Sequence, residues 1–339
     1  MNNAFLTIYI PSFRRPKALE QQILSILVQA KALRCDESTL HIIVRLNGYE
    51  ENCGQLKFLL ELESAHKLLK ITYNPYNIGG NANIALGFTS ANPNGYLWIL
   101  SDDDWIEADL LQRVLSHLKK ENPDLLIIQE LHKAECTTIY YADIKDIADC
   151  ALLSLGLISR GVYSMNYIAQ SCEAPFLYHN TSFPHLAIIF SALRKKGKCR
   201  LFCMAGQSFQ GDACVGHKDH PGNYHLSYAG RLQLIALLPK NAQFRYARSF
   251  LSEGSIDLIR AAKEYPDVAY ASVSLLTLYA PLLIPLLPYY LSRDLCRRVL
   301  SRLTRNQPWL YSQNNIHLNK CQASSQGKKA KIRSVHSDP

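Results

Sequence analysis

The residues with the most chemical content are Ser101-Asp102-Asp103-Asp104, which close an apolar run, Gly95 to Leu100 (GYLWIL). Three adjacent carboxylates at the end of a buried strand repel one another, and a neighbouring cation is the usual remedy. All-oxygen donors suit Mg2+ or Mn2+, ions that keep waters and hold substrate phosphates at the same time. Asp102, Asp103 and Asp104 are therefore candidate ligands for Mg2+ or Mn2+, and the substrate is expected to carry phosphates. The bland alternative is a solvated acidic turn capping a helix that opens near Glu107.

Other loops join this run. Pro11-Ser12-Phe13-Arg14-Arg15 follows the first strand-like segment, where a nucleotide could lie. Asn77-Ile78-Gly79-Gly80-Asn81-Ala82-Asn83 follows the third. Its glycines permit close backbone approach, and its asparagines offer side-chain bonds at a helix start. The chain has no G-x-x-x-x-G-K-[ST] and no G-x-G-x-x-G after the first strand, which removes most support for P-loop and dinucleotide-binding readings. The phosphate donor that remains is a nucleotide-sugar, its diphosphate resting on the divalent ion.

These loops need a scaffold. Phe5–Pro11, Leu40–Leu46, Leu69–Tyr73, Gly95–Leu100 and Leu125–Gln129 are short apolar runs that predict strands. Between them lie segments with helical spacing: one opened by Pro16, then Lys57–Leu68, Ala82–Ser90 and the stripe Leu110, Leu111, Val114, Leu115, Leu118. Near-continuous apolar strands alternating with helices predict an α/β domain, a mostly parallel sheet with helices on both faces. Ligands bind such sheets beyond the carboxyl ends of the strands, where all of these loops fall. Further on, Pro184 opens a helix with an apolar face, and Cys199–Met204 reads as a strand.

With these residues in place, the chain resembles the inverting family-2 glycosyltransferases of GT-A fold, and within them the abequosyltransferase-like enzymes of bacterial surface polysaccharide assembly. The resemblance rests on LTIYIPSFRRP (Leu6–Pro16), NIGGNAN (Asn77–Asn83), YLWILSDDDW (Tyr96–Trp105) and FPHLAIIFSAL (Phe183–Leu193). It covers residues 5–130 well and thins out to about residue 205. It implies transfer of a sugar from a nucleotide-sugar donor to a lipid-linked saccharide acceptor, in O-antigen or capsule synthesis. It also implies that Pro11, Ser12, Phe13, Arg15, Asn47, Asn77, Gly79, Asn83, Asp102 and Asp103 contact the donor. One departure stands out: the family commonly has an Asp-Asn or Asp-Asp pair after strand two, and here Leu46 takes the place of the first Asp, leaving Asn47 to keep part of the contact. An inverting transferase needs a base for the acceptor hydroxyl. His185, at the start of its helix, is the first candidate, with an ordinary pKa suited to the task. The alternative is a histidine that caps or packs that helix. Asp212 is the second candidate base, and His217 and His220 in the same loop could contact diphosphate or metal.

The bulk of the chain fits this outline. Its 339 residues are 48% hydrophobic, enough for a large core. The net charge of +9 is concentrated at one end: residues 292–339 hold ten Lys or Arg against two Asp, leaving the body near neutral. Residues 268–292 contain no charged side chain. Prolines 281, 285 and 288 argue against one straight span, so this stretch reads either as a shallow membrane segment or as a helical pair packed on the body. A basic end suits an anionic partner, membrane lipid rather than nucleic acid. The organisation expected is residues 1–215 as the catalytic domain, 216–305 as a helical extension with peripheral membrane contact through 268–305, and 306–339 as a disordered basic tail. No secretion signal opens the sequence and the ten cysteines form no C-x-x-C pair, which predicts free thiols in the cytoplasm, at the inner face of the membrane. Cys214, His217, His220 and His225 lie close together, at a spacing unlike the familiar zinc sites. Two rival functions remain: a sugar-phosphate nucleotidyltransferase, which would need a Gly-rich loop after strand one, and a basic-tailed adaptor, which would leave the aspartates unexplained.

Overall fold

The computed structural model describes residues 3–48, 54–129, 138–143, 157–181, 183–205, 231–240, 242–248, 250–251 and 266–304. Short β-branched runs become strands, and the striped segments between them become helices. In order these are β1 (Leu6–Ser12), α1 (Pro16–Ala32), β2 (Leu40–Asn47), α2 (Gly54–Ala65), β3 (Leu69–Asn74), α3 (Gly80–Gly87), β4 (Tyr96–Ile99), α4 (Leu110–Glu121) and β5 (Leu125–Gln129). Pro16 sits in the first turn of α1, where its missing N–H costs nothing. Then come β6 (Thr138–Asp143), β7 (Gly161–Ser164), the one-turn helices α5 (Met165–Ile168) and α6 (Ala174–Leu177), α7 (Pro184–Lys196) and β8 (Lys198–Ala205).

The eight strands form one sheet in the order β3-β2-β1-β4-β7-β5-β8-β6. Pairs β3–β2, β2–β1, β1–β4 and β5–β8 are parallel. Strand β7 is wedged antiparallel between β4 and β5, and β6 runs antiparallel to β8 at the edge. The five strands expected over the first 130 residues are all present. Strands β6 and β7 were not foreseen, since four residues such as Gly161–Ser164 are too few to display a period.

Alternate residues of the strands serve the two faces. Leu6, Ile8, Ile10, Ile42, Val44, Trp98, Leu126 and Phe202 pack under the apolar stripes of α1 and α4 in the main core. Tyr9 and Tyr163 project to the other face, beneath α3, where Phe88 meets the Tyr163 ring edge-on. Helix α7 packs in turn on α3. The register keeps the carboxyl ends of β1 and β2 level: Ser12 pairs with Leu46, and Asn47 with Asn74 of β3.

The chain divides into two compact units, Met1–Pro285 and Leu286–Pro339. The boundary expected at 215/216 lies outside the described residues. The charge-free stretch is broken rather than continuous: α8 (Pro266–Tyr279), a short 3-10 turn (Pro281–Leu283) and the first residues of α9 (Leu287–Thr304). Leu276, Ala280 and Leu283 are buried, while Tyr270, Leu278 and Leu282 are exposed, so this part of the first unit has one packed side and one open side. Among the described residues no helix is long and apolar enough to cross a membrane.

Gly87 lets α3 lie close on the sheet, since a Cβ there would come within 2.8 Å of the Tyr9 ring. Gly87→Ala is expected to lower stability by about 1–3 kcal/mol in urea unfolding. Gly80→Ala, whose added methyl meets open space, should stay within about 0.5 kcal/mol of wild type.

Candidate active site

The acidic run continues β4 past the level where β1 ends. Leu100 still donates its N–H to Tyr9 O at 2.9 Å, and the chain then turns, with Asp104 N bonded to Ser101 O at 3.2 Å. Helix α4 opens only at Leu110, and its N-cap residue Asp109 makes no side-chain cap bond. The run is therefore not a helix cap, and its carboxylates turn elsewhere.

Asp102 points back under the β1 loop. Its Oδ2 accepts from Ser12 Oγ at 2.7 Å and from Phe13 N at 3.3 Å, and its Oδ1 accepts from Arg15 Nη1 at 3.1 Å. The same guanidinium nitrogen reaches Asp103 Oδ2 at 2.5 Å. Asp103 also accepts from Ser101 Oγ and is the more exposed of the two partners of Arg15. Asp104 accepts from Ser159 Oγ at 2.5 Å. Burial pushes the Asp102 carboxyl upward, opposed by Arg15 and Ser12. Burial, with the Asp103 and Asp102 charges adding to it, raises Asp104 to about 6 against the lowering effect of Ser159.

Arg15 reaches these carboxylates through a strained turn. Arg14, beside it, has a φ of +55°, the left-handed region that side chains other than glycine seldom adopt. Its guanidinium lies 5.0 Å over the Phe13 ring. Pro11 is the penultimate residue of β1, opposite Arg45.

The asparagines form a second cluster across the ends of β2 and β3. Asn47 Oδ1 accepts from Ile78 N at 3.0 Å and from Asn74 Nδ2 at 3.3 Å, while Asn47 Nδ2 donates to Asn77 Oδ1 at 2.7 Å. Asn77 Oδ1 also takes the N–H of Gly79. Asn83 accepts from Asn74 and donates to Arg45 O. Tyr9 Oη donates to Asn83 O at 2.8 Å. Asn47, Asn74 and Asn83 are buried. These side chains are thus committed to one another and hold the β3–α3 loop in place. Gly79 is required by its φ of +84° rather than by crowding, for a Cβ there meets nothing within 4 Å. Leu46 is fully buried in the core, so the position where the family commonly has its first Asp faces away from water here.

His185 is the second residue of α7 and only 2% exposed, its ring 5.7 Å from that of Phe183. Every residue from Pro184 to Leu193 is buried. This placement is what packing the helix demands. Asp212, Cys214, His217, His220 and His225 lie outside the described residues.

Three supports of the acidic run lie outside the sequence motifs. Ser159 is fully buried in the 3-10 turn Ile158–Arg160, where its Oγ accepts from Ser101 N at 2.9 Å while donating to Asp104, so one hydroxyl clamps both ends of the acidic turn. Gln22 donates to Asp104 O, and Gln29 donates to Glu107 O. The glutamines carried a legible signal: they stand seven apart on the same stripe of α1 as Leu19 and Ile26, buried polar groups on a core face. Ser159, more than fifty residues distant, carried none.

The donor set fits a hard divalent ion. Of the three carboxylates, Asp102 and Asp103 share the Arg15 guanidinium, and Asp102 and Asp104 are held off their ordinary acidity by burial. Among the described residues no three His, Cys, Asp or Glu side chains converge on one point. An ion here would take one or two carboxylates and complete its shell from water and ligand, the habit of Mg2+.

The sheet order, with an acidic run beyond the strand ends, defines a glycosyltransferase of GT-A fold. More narrowly, the family model described as "Glycosyl transferase family 2" matches residues 7–182, over half of the chain, and the chain belongs to that family. No curated protein matches it. Among solved structures it is similar to S. aureus TarS 1–349, at a TM-score of 0.56 and 13% identity over 89% of this chain and 91% of that one. The complex of TarS 1–349 with UDP-GlcNAc gives 0.54 and 12% over the same shares. The mannosyltransferase PcManGT of Pyrobaculum calidifontis, in complex with GDP-Man and Mn2+, gives 0.48 and 11% over 86% of each chain. At these identities the TarS likeness carries the fold alone.

The raised Asp104 pKa has a thermodynamic signature. A carboxyl that titrates near 6 when folded and near 3.8 when unfolded favours the fold in its protonated form. That contribution is complete below pH 4 and is lost as pH rises through 6, about 3 kcal/mol in all. In EDTA, the unfolding free energy from urea titrations is expected to fall between pH 4 and pH 7 by about this amount, and Asp104→Asn should flatten the profile.

Proposed function

We propose that this protein transfers a sugar, with inversion, from a nucleotide-sugar to a saccharide carried on a membrane lipid, using Mg2+ or Mn2+. The observation that carries the reading is the pairing of Arg15 with Asp102 and Asp103 at the ends of β1 and β4. An anionic diphosphate approaching three carboxylates needs more positive charge than one guanidinium supplies. Asp102, committed to Ser12, Phe13 and Arg15, anchors the loop that would cover the nucleotide. Asp103 and Asp104 are the residues that would hold the cation. When bound, the ion would act as a Lewis acid, neutralising charge on the leaving nucleoside diphosphate.

Ser12, Phe13 and Arg15 line the donor pocket in this reading, and Pro11 fixes the strand end beneath them. Asn47, Asn77, Gly79 and Asn83 shape its far wall through their mutual bonds, and their backbone is what a nucleotide would meet. A role in O-antigen or capsule assembly rests on resemblance to the abequosyltransferase-like group. The exposed Tyr270, Leu278 and Leu282 and the basic end of the chain support contact with the inner membrane face through residues 268–305. Nucleic acid is not a partner in this reading.

Asp102, Asp103 and Asp104 are to be replaced singly by Asn, with metal-dependent hydrolysis of nucleotide-sugars as the readout. Losses of about 10²-fold or more are expected at Asp103 or Asp104; unchanged activity in all three variants would sink the metal assignment. Incubation with sugar phosphate and nucleoside triphosphate should give no activated sugar, which separates this reading from a nucleotidyltransferase.

Of the two sequence candidates for the base, we take Asp212, because the burial of His185 serves helix packing. Asp212→Asn should lower kcat by about 10²–10⁴-fold. His185→Asn should lower the melting temperature and leave the pH dependence of kcat/KM unchanged. Loss of the acidic limb in the His185 variant would reverse the choice.

A further inference from the structure

Arg14 carries a charge that the acidic run does not use. Its φ of +55° lies in the left-handed region, where a residue with a Cβ is strained and glycine is not. Both of its neighbours in the turn are bound to the aspartates. Phe13 N donates to Asp102 Oδ2 at 3.3 Å, and Arg15 Nη1 reaches Asp102 Oδ1 at 3.1 Å and Asp103 Oδ2 at 2.5 Å. Between them Arg14 is exposed, and none of the ion pairs among the described residues includes it. Its guanidinium lies 5.0 Å over the Phe13 ring. A turn that served only to deliver Arg15 to the aspartates would be held by glycine at position 14 without strain. Arginine there adds strain and adds a cation. Stacking on Phe13 restricts that cation while leaving the in-plane N–H donors of the guanidinium open to a ligand.

We infer that Arg14 is a binding residue for the diphosphate of the donor, kept in a strained conformation so that an unpaired guanidinium stands beside the acidic run. This assignment rests on the transferase reading above and adds to it a cation that is free when the donor arrives. Asp102 and Asp103 already share Arg15, so a diphosphate entering there meets one guanidinium that is engaged and one that is not. A guanidinium presents its N–H donors in a planar fork that matches two phosphate oxygens. Phosphate is also the part of a nucleotide that suits this place. A nucleobase would stack on the Phe13 ring, one face of which Arg14 already covers.

Arg14→Gly tests it, because this change removes the charge and relieves the backbone together. In calorimetric titrations of the full chain with Mn2+, the variant is expected to bind UDP or GDP about 10-fold more weakly than wild type, and inorganic pyrophosphate more weakly to a similar degree. Its melting temperature should stay level or rise, since glycine suits a φ of +55°. Arg14→Lys keeps the charge without the fork and should bind with an affinity between the two. Wild-type affinity of Arg14→Gly for the nucleotides and for pyrophosphate would overturn the proposal. So would weaker nucleotide binding with pyrophosphate binding unchanged, which would move Arg14 to the base or ribose. A lower melting temperature in Arg14→Gly would mean that the side chain serves the fold, and would overturn it as well. Nucleotide-sugar hydrolysis by the wild type reports on the transferase reading separately. Its absence, with Arg14-dependent pyrophosphate binding intact, would count against that reading and leave the diphosphate site standing. Hydrolysis with binding indifferent to Arg14 would count against the site alone, and no binding of any of these ligands to the wild type would overturn both.

Discussion

The structure turns on an excess of negative charge. Asp102, Asp103 and Asp104 follow one another where β4 leaves the core, and no arrangement of three adjacent carboxylates at that depth is comfortable. The protein meets the strain by dividing the run. Asp102 is turned back into the β1 loop, Asp104 is turned down onto a buried serine, and Asp103 is left at the opening between them. Each of those turns fixes a neighbouring element. The β1 loop is drawn over the strand ends by Asp102. The turn at Ile158–Arg160 is held against β4 by Ser159 and by Trp98 Nε1, which donates to Ser159 O at 2.7 Å. Helix α1 reaches the same segment through Gln22 and Gln29.

What is legible in the sequence follows from the range of the interactions. The strands and helices of the first 130 residues announce themselves, because burial on two faces imposes local apolar runs and stripes. The acidic run announces itself because its chemistry lies in three consecutive letters. Strand β7 does not, since its four residues are defined by antiparallel neighbours on both sides and by Tyr163 reaching beneath α3. Ser159 is invisible for the same reason: nothing near it in the chain distinguishes it from any other serine in a turn. The asparagines are the instructive intermediate. Asn77, Asn81 and Asn83 cluster after β3 as polar groups with work to do; of these Asn83 is buried, and with Asn47 and Asn74 at the ends of β2 and β3 it is committed to bonds within the group, to Tyr9 and to Arg45. A residue type at a strand end shows that a polar network is needed there, not which side of the network faces the ligand.

The same distinction explains His185. A histidine opening a helix near a transferase motif invites a catalytic role. Its neighbours Phe183, Pro184, Leu186 and Ala187 are all buried, however, as packing α7 onto α3 requires. The helix start that made it conspicuous is also what buries it.

Arg15 then becomes the hinge of the site's electrostatics. In this structure it is the guanidinium that both Asp102 and Asp103 share, and it is carried there by a neighbour, Arg14, in an unfavourable backbone conformation. Strain of this kind persists only where the surroundings repay it, and the repayment here is neutralisation of the acidic run. Under the proposed function, the same side chain faces an incoming diphosphate, whose phosphates offer it a partner as strong as either carboxylate. Arg15 cannot serve the phosphates and both aspartates fully at once. Releasing it from Asp103 would expose a carboxylate already primed by its neighbours to take a cation. Under the proposed function, cation binding and diphosphate recognition would then be one electrostatic event, centred on Arg15.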